Sequence, residues 1–235
     1  MLVKTRAIVL SAIKYQEKSL IVKCFTQNHG VKTYFVANAF STKKNHQKAG
    51  YFQPLTILEI EATHKNKGTL EYFKEIKLGY AYQTAHTDWV KSTVVMFLSE
   101  VLHCSLKEEE HNENLLSFLE TALIWFDTHT TTANFHLVLL FQLTKFLGFY
   151  PSVSSGSYFE MTEGVFYDFP SATSLNEDET RLFKKLFDLK INHLQNTFSQ
   201  KERQQLIKIL LDFYTIHISG FKKPKSVEVL AEVFS

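Results

Sequence analysis

A chain of 235 residues with 45% hydrophobic content can bury a full core, as one large domain or two small ones. Its apolar stretches are all broken by charge short of the roughly 20 residues that a membrane helix needs, and no signal-peptide core follows Met1; a soluble, cytoplasmic protein with no membrane partner is expected. The net charge of +2 conceals a strong asymmetry: residues 1–80 hold 13 Lys/Arg against 5 Asp/Glu, residues 81–200 hold 7 against 15, and residues 201–235 hold 6 against 4, which points to a polyanion site confined to the amino-terminal end.

The first 76 residues predict five short strands. Ala7-Ile8-Val9-Leu10 opens the first, Leu20 to Thr26 forms the second, and Asn28-His29-Gly30 turns the chain into a third over Val31 to Val36. Ser41 to Lys48 reads as an exposed connection. Leu58-Glu59-Ile60-Glu61-Ala62 alternates as a half-buried strand should, and Lys65-Asn66-Lys67-Gly68 turns into a fifth strand near Leu70 to Ile76. Five antiparallel strands in so short a span fit a small closed barrel of OB-fold type better than a sandwich.

After Tyr80 the apolar period lengthens to that of helices. Val90, Val94, Phe97, Leu98, Val101 and Leu102 make one stripe, and Leu115, Leu116, Leu119, Leu123 and Phe126 a second; Glu108-Glu109-Glu110 and Asn112 connect them. Phe135 to Leu147 is apolar almost all round, as befits a buried central helix, and ends at Gly148 with Pro151 beyond. Ser152 to Ser174 reads as an insertion or small hairpin near Gly164-Val165-Phe166-Tyr167. Helices resume behind a cap at Asn176 and run through Leu206, Ile209, Leu210, Phe213 and Ile216 to a last one near Val227 to Phe234. The fold class is therefore α+β: an OB-fold nucleic-acid-binding barrel over 1–80, then an all-helical domain over 81–235 with a small non-zinc insertion at about 150–174.

No phosphate-cradling glycine loop, nucleophile elbow or zinc-binding His-Glu-x-x-His helix occurs, so no catalytic residue, cofactor or enzymatic role is assigned. His29, His46, His64 and His86 are scattered over turns and segment ends, where surface or capping roles are expected, and His103 and Cys104 would point about 100° apart on a helix. Cys24 and Cys104 lack metal or disulfide spacing and are expected to be buried thiols. What remains is an interleaving of cations and rings. Arg6, Lys23, Lys32, Lys43, Lys44, Lys48, Lys65 and Lys67 can neutralise phosphates, while Tyr34, Phe40, Tyr51 and Phe52 offer rings on which unpaired bases stack. Phe35 and Phe73 are assigned to the core. Lysines outnumber arginines, which favours sequence-blind phosphate contact over base reading.

Ala7-Ile8-Val9-Leu10, Tyr15-x-Glu17, Leu20-Ile21-Val22 and Phe25-Thr26-x-x-His29-Gly30 resemble the opening of RecO proteins. Phe52-Gln53-Pro54-Leu55 with Leu58-Glu59-Ile60-Glu61 is similar to that family's barrel strand, and Phe146-Leu147-Gly148-Phe149-Tyr150-Pro151 to the end of its central helix. Tyr214 to His217, Phe221-Lys222, Lys225-Ser226 and Val229-Leu230 resemble its last helices. The resemblance implies a DNA repair and recombination mediator that binds single- and double-stranded DNA, anneals strands, contacts the single-strand-binding protein C-terminal tail, joins RecR and indirectly helps load RecA. It departs at one point: many family members carry four zinc-binding cysteines after the Leu-Gly-Phe-x-Pro stretch, and residues 152–174 here have none. Tyr158, Phe159, Phe166 and Tyr167 are expected to hold the insertion instead. Two rivals stay open: a protein-interaction scaffold without intrinsic DNA affinity, and a nucleic-acid hydrolase using Asp88, Glu100 or Glu108-Glu109-Glu110.

Overall fold

The computed structural model describes residues 1–40, 49–65, 70–106, 111–130, 132–193 and 197–233. The Ser41 to Lys48 connection, the turn at residues 66–69 and the acidic run Glu108-Glu109-Glu110 lie outside them. Two compact units are present, one of Met1–Thr128 with Pro224–Ser226, the other of His129–Lys223 with Val227–Ser235.

In the first unit, β1 (Leu2–Tyr15), β2 (Ser19–Thr26), β3 (Gly30–Val36), β4 (Ile57–Thr63) and β5 (Glu71–Leu78) close a barrel in the order β1-β2-β3-β5-β4, the arrangement of an OB-fold. All neighbours pair antiparallel except β3 and β5, which close the barrel in parallel through Tyr34↔Glu71 and Phe35↔Tyr72. Val9, Val22, Cys24, Tyr34, Val36 and Leu58 are among the side chains that fill the interior. Tyr34 stacks on Phe73 at 4.1 Å between ring centres, and Phe73 on Phe52 at 5.7 Å.

The first strand is far longer than its four-residue core suggests, because β1 serves two neighbours: its first half pairs with β4 and its second with β2. A bulge separates the halves, since Val9 opposes Cys24 while Ser11 opposes Lys23, leaving Leu10 as the extra residue. Side-chain parity reverses there. Val3, Ala7 and Val9 point inward before the bulge, whereas Ile13 and Tyr15 lie on the outer face after it. The Leu10 carbonyl accepts a hydrogen bond of 2.5 Å from Ser99 Oγ on α1 (Trp89–Ser105).

A buried carboxylate fastens the chain as it leaves the barrel. Asp127 sits in the last turn of α2 (Glu113–Thr128), where the helix dipole disfavours a negative charge. Its carboxylate accepts the backbone N–H groups of Gln83, Thr84 and Ala85 at 2.7–3.1 Å and the Tyr80 hydroxyl at 3.2 Å. The ammonium of the buried Lys91 donates to the Asp127 carbonyl at 2.8 Å and to Thr84 Oγ1 at 2.7 Å. Burial alone would raise the Asp127 carboxyl, but these donors hold it below the ordinary aspartate value. Asp88 caps α1 by accepting from the Lys91 N–H, and Asn112 accepts from the Leu115 N–H ahead of α2.

In the second unit, α3 (Phe135–Leu147) has every residue from Phe135 to Phe141 buried and ends at Gly148, whose φ of 84° is the left-handed cap. Next come the hairpin β6 (Tyr158–Glu160) and β7 (Val165–Tyr167), α4 (Glu177–Lys184) behind a capping box of Asn176 and Glu179, α5 (Gln200–His217) and α6 (Val227–Val233). Phe159 stacks on Phe183 at 4.6 Å and contacts Phe166 and Phe213; Phe187 in turn meets Phe141 at 4.8 Å. Gly156 lies so close to β7 that a Cβ there would stand 2.7 Å from the Tyr167 backbone, which requires glycine. The insertion's donors do not fit zinc: residues 152–174 contain neither Cys nor His, and the Glu160 carboxylate is committed to Thr173 Oγ1 and the Glu163 N–H. Among the described residues no three metal-ligating side chains converge, and no helix is long and apolar enough to cross a membrane.

Two departures concern small side chains. Cys24 is buried as expected, but Cys104 is only half-buried. His64 is not a surface or capping residue: it is 2% exposed, with Nε2 2.8 Å from the Tyr34 hydroxyl and its ring edge-on to His29 at 4.8 Å. Burial pulls His64 down to about 4, with His29 and Lys32 adding to the effect and Glu71 opposing it.

Replacing Ser99 with Ala strands the bulge carbonyl, and urea unfolding is expected to register a loss of about 1–2 kcal/mol. Asp127→Ala leaves three backbone donors unpaired and should cost about 3 kcal/mol. Because the folded-state pKa of Asp127 is depressed, its contribution is present above the unfolded pKa and disappears as pH falls through the folded value; Asp127→Asn should flatten that part of an acid unfolding curve.

Candidate nucleic-acid interface

The barrel's strand register assembles a row of apolar and aromatic side chains on the outer surface. Ile13 pairs with Ile21, Ile21 with Phe35, and Phe35 with Tyr72, so four residues from β1, β2, β3 and β5 line up across the sheet on one face. Tyr15 meets Phe35 edge-on at 6.1 Å, and Phe35 meets Tyr72 edge-on at 6.1 Å. These side chains are unusually open for apolar groups: Ile13 is 62% exposed, Tyr72 46% and Tyr15 44%, with Phe35 and Ile21 half-buried. Cations flank the row. The Lys65 ammonium stands 5.3 Å from the centre of the Tyr72 ring, and Lys14 stands 5.9 Å from that of Phe40, itself half exposed. Lys23 occupies the outer-face position between this row and the Ile8–Phe25–Val31 row, which is buried.

The other side of the barrel is electrostatically neutralised. Glu61 binds Lys74 at 2.6 Å and Lys4 at 3.5 Å, Lys77 binds Glu75 at 3.0 Å, and Arg6 binds Glu120 of α2 at 2.6 Å while also reaching Gln27. The hydrogen bond from Lys74 holds the Glu61 carboxyl below its ordinary value; burial raises that of Glu120 in spite of Arg6. Lys4, Arg6 and Lys77 with Glu59, Glu61 and Glu75 line a cleft of about 400 Å³ with cations and carboxylates in balance, which offers a polyanion little attraction.

The structure therefore divides the sequence-derived set. Lys23, Lys65 and Phe40 lie beside the ring row, and Lys32 lies near His29 and His64, whose charged forms it disfavours. Arg6 is committed to Glu120, a carboxylate of the helical part, which is the neutralisation that weakens a phosphate role. Tyr34 is corrected outright: it is fully buried, its faces meet core side chains, and no base can stack on it. Phe52 is likewise core, at 3% exposure, and Tyr51 is half-buried against the barrel interior. Phe35 moves the opposite way, from presumed core to outer surface, whereas Phe73 packs on the core as expected. Lys43, Lys44, Lys48 and Lys67 lie outside the described residues.

Sequence reading missed Tyr15, Phe35, Tyr72 and Lys14. In β3 the inward parity is shared by Lys32, Tyr34 and Val36, so alternation read from polarity misleads there; pairing of Cys24, Val22 and Leu20 with those three residues settles it. Replacing Phe35 or Tyr72 with Ala is expected to lower affinity for a single-stranded oligonucleotide by about 1–3 kcal/mol each in a fluorescence-anisotropy titration. Arg6→Ala, which leaves Glu120 buried without its partner, is expected to lower the thermal midpoint and leave oligonucleotide affinity unchanged.

Comparison with known proteins agrees with this architecture. Residues 1–82 match the family described as Recombination protein O N terminal, and residues 86–226 match Recombination protein O C terminal. The DNA repair protein RecO of Flavobacterium johnsoniae is 60% identical over 237 residues, and that of Flavobacterium psychrophilum 61% identical over 238, each alignment covering 100% of both chains. The DNA repair protein RecO of Christiangramia forsetii is 40% identical over 238 residues, again at full coverage of both. With both family regions present in order and relatives similar from end to end, the chain belongs to the RecO family.

Proposed function

We propose that this chain is a DNA-binding recombination mediator that holds nucleic acid along the outer face of β1, β2, β3 and β5 and promotes annealing of complementary strands. The observation that carries the reading is the in-register row of open apolar and aromatic side chains, with Tyr15 and lysines beside it. Rings give unpaired bases a stacking surface, and ammonium groups lower the repulsion between two phosphate backbones so that complementary bases meet. No covalent step is assigned to the protein; annealing needs charge neutralisation and base access only. Family membership supports single- and double-stranded DNA as ligands, the single-strand-binding protein tail and RecR as protein partners, RecA loading as an indirect outcome, and work in the cytoplasm at the nucleoid.

The division into domains is proposed as first read, a barrel over 1–80 that touches DNA and a helical part over 81–235 that touches proteins. Lys43, Lys44 and Lys48, which lie outside the described residues, and the exposed Lys222 and Lys225 are proposed as further phosphate contacts, whereas Lys223 is paired with Asp212.

If six phosphates are neutralised, a log-log plot of single-strand affinity against salt should slope by roughly −4, from about −0.7 per contact. Annealing of labelled oligonucleotides should be accelerated by the wild-type chain and lost in parallel with affinity when Lys43 and Lys44 become Glu. Salt-independent affinity, or partner capture that survives nuclease treatment in a chain without DNA affinity, would favour the interaction scaffold.

A further inference from the structure

The β6–β7 insertion presents a second exposed aromatic face, of opposite electrical character to the barrel's. Residues 149–180 contain six Asp/Glu and neither Lys nor Arg. Within the hairpin Phe159 and Phe166 pair toward the core, so the paired Tyr158 and Tyr167 stand on the other face. The segment before the hairpin runs along β7: the Ser152 N–H donates to the Gly164 carbonyl at 2.8 Å and the Phe166 N–H to Ser154 Oγ at 3.2 Å, which sets Val153 beside Val165. Val153 is 79% exposed, Phe169 82% and Tyr167 46%. Single exposed apolar residues are ordinary, but here Val153 flanks the start of β7, Tyr167 ends it beside Tyr158, and Phe169 follows two residues on, so one strand carries a line of open apolar groups.

The polar surroundings of that patch are anionic. The Tyr158 hydroxyl donates to Glu177 at 2.6 Å and the Tyr167 hydroxyl to Glu163 at 2.6 Å, so each ring is held by its edge with a carboxylate beside it. The nearest cations along the chain are already engaged: Arg181 pairs with Asp178 at 3.0 Å, and Lys184 donates to the Gly156 carbonyl at 2.5 Å and covers the Phe166 ring. Ring faces and carboxylates both attract positive charge, and both repel phosphate or acidic peptide.

We propose that the surface carrying Val153, Tyr158, Tyr167 and Phe169 docks a cationic protein segment, one whose Arg or Lys side chains lie over the tyrosine rings against Glu163 and Glu177 while apolar residues of the segment meet Val153 and Phe169. The surface would give the molecule a protein contact independent of its DNA face, because the two select ligands of opposite charge.

The test uses the full chain and two synthetic peptides of equal length and equal leucine and phenylalanine content, one with arginines and the other with glutamates at the same positions. The arginine peptide is expected to bind and the glutamate peptide not. Val153→Ser with Phe169→Ser, and separately Glu163→Gln with Glu177→Gln, should each weaken the arginine peptide on the order of tenfold, the loss of about one hot-spot contact. Oligonucleotide affinity should be retained in both. Equal binding of the two peptides, or full retention of the arginine peptide by both double variants, overturns the assignment.

Discussion

A single extra residue in β1 governs what the barrel shows to solvent. Side chains alternate strictly along a strand, so a regular β1 without the bulge at Leu10 would carry the inward parity of Val9 on through Ser11 to Ile13 and Tyr15. The bulge turns both outward, onto the face where Ile21, Phe35 and Tyr72 already lie in register. The irregular backbone is stabilised by partners on both sides: the Leu10 carbonyl by Ser99, the Val9 N–H by the Thr56 carbonyl and the Val9 carbonyl by the Leu55 N–H. The candidate interface thus depends on the helix behind the barrel as well as on the strands that bear it.

Charge is distributed by the same register. Antiparallel pairing of β1, β4 and β5 sets Lys4 opposite Glu61, Arg6 opposite Glu59 and Glu59 opposite Lys77, a mesh of opposite signs across three strands. Exposed pairs of this kind contribute little stability, but they remove cations from the field that a polyphosphate would meet. Among the described residues outside that mesh, Lys65 stands beside the Tyr72 ring and Lys14 beside that of Phe40. Arg6 belongs to the neutral side, since it compensates a mostly buried Glu120.

The helical unit solves a different problem with the same residue class. Its insertion lacks the donors for a structural metal and is anchored by rings: Phe159 and Phe166 reach inward to Phe183, Phe187 and Phe213, which α4, α5 and the intervening turn supply. Edge-to-face and offset contacts of this sort add to the burial of large apolar area, so a short two-stranded hairpin that is marginal by itself gains a core. The side chains of alternate parity are left outside, and there the hairpin's acidic composition sets its character.

The sequence by itself determined the element order, the five-strand barrel followed by helices, the cap at Asn176, the apolar helix from Phe135 to Leu147, the anchoring of the insertion by Phe159 and Phe166, though not by Tyr158 and Tyr167, which stand on the outer face, and the concentration of base in the first 80 residues. These are properties of local pattern, period and composition, which act over a few residues and survive without knowledge of neighbours. Only the tertiary structure decided which rings are open to a ligand and which cations are available. Tyr34 and Phe35 are adjacent and alike in chemistry, and their fates differ because β3 pairs with β2 and β5 in one register. Arg6 and Lys65 both looked like phosphate ligands, and they differ because one meets a carboxylate 114 residues away while the other covers a tyrosine ring. Such pairings join residues distant along the chain, so no local pattern encodes them.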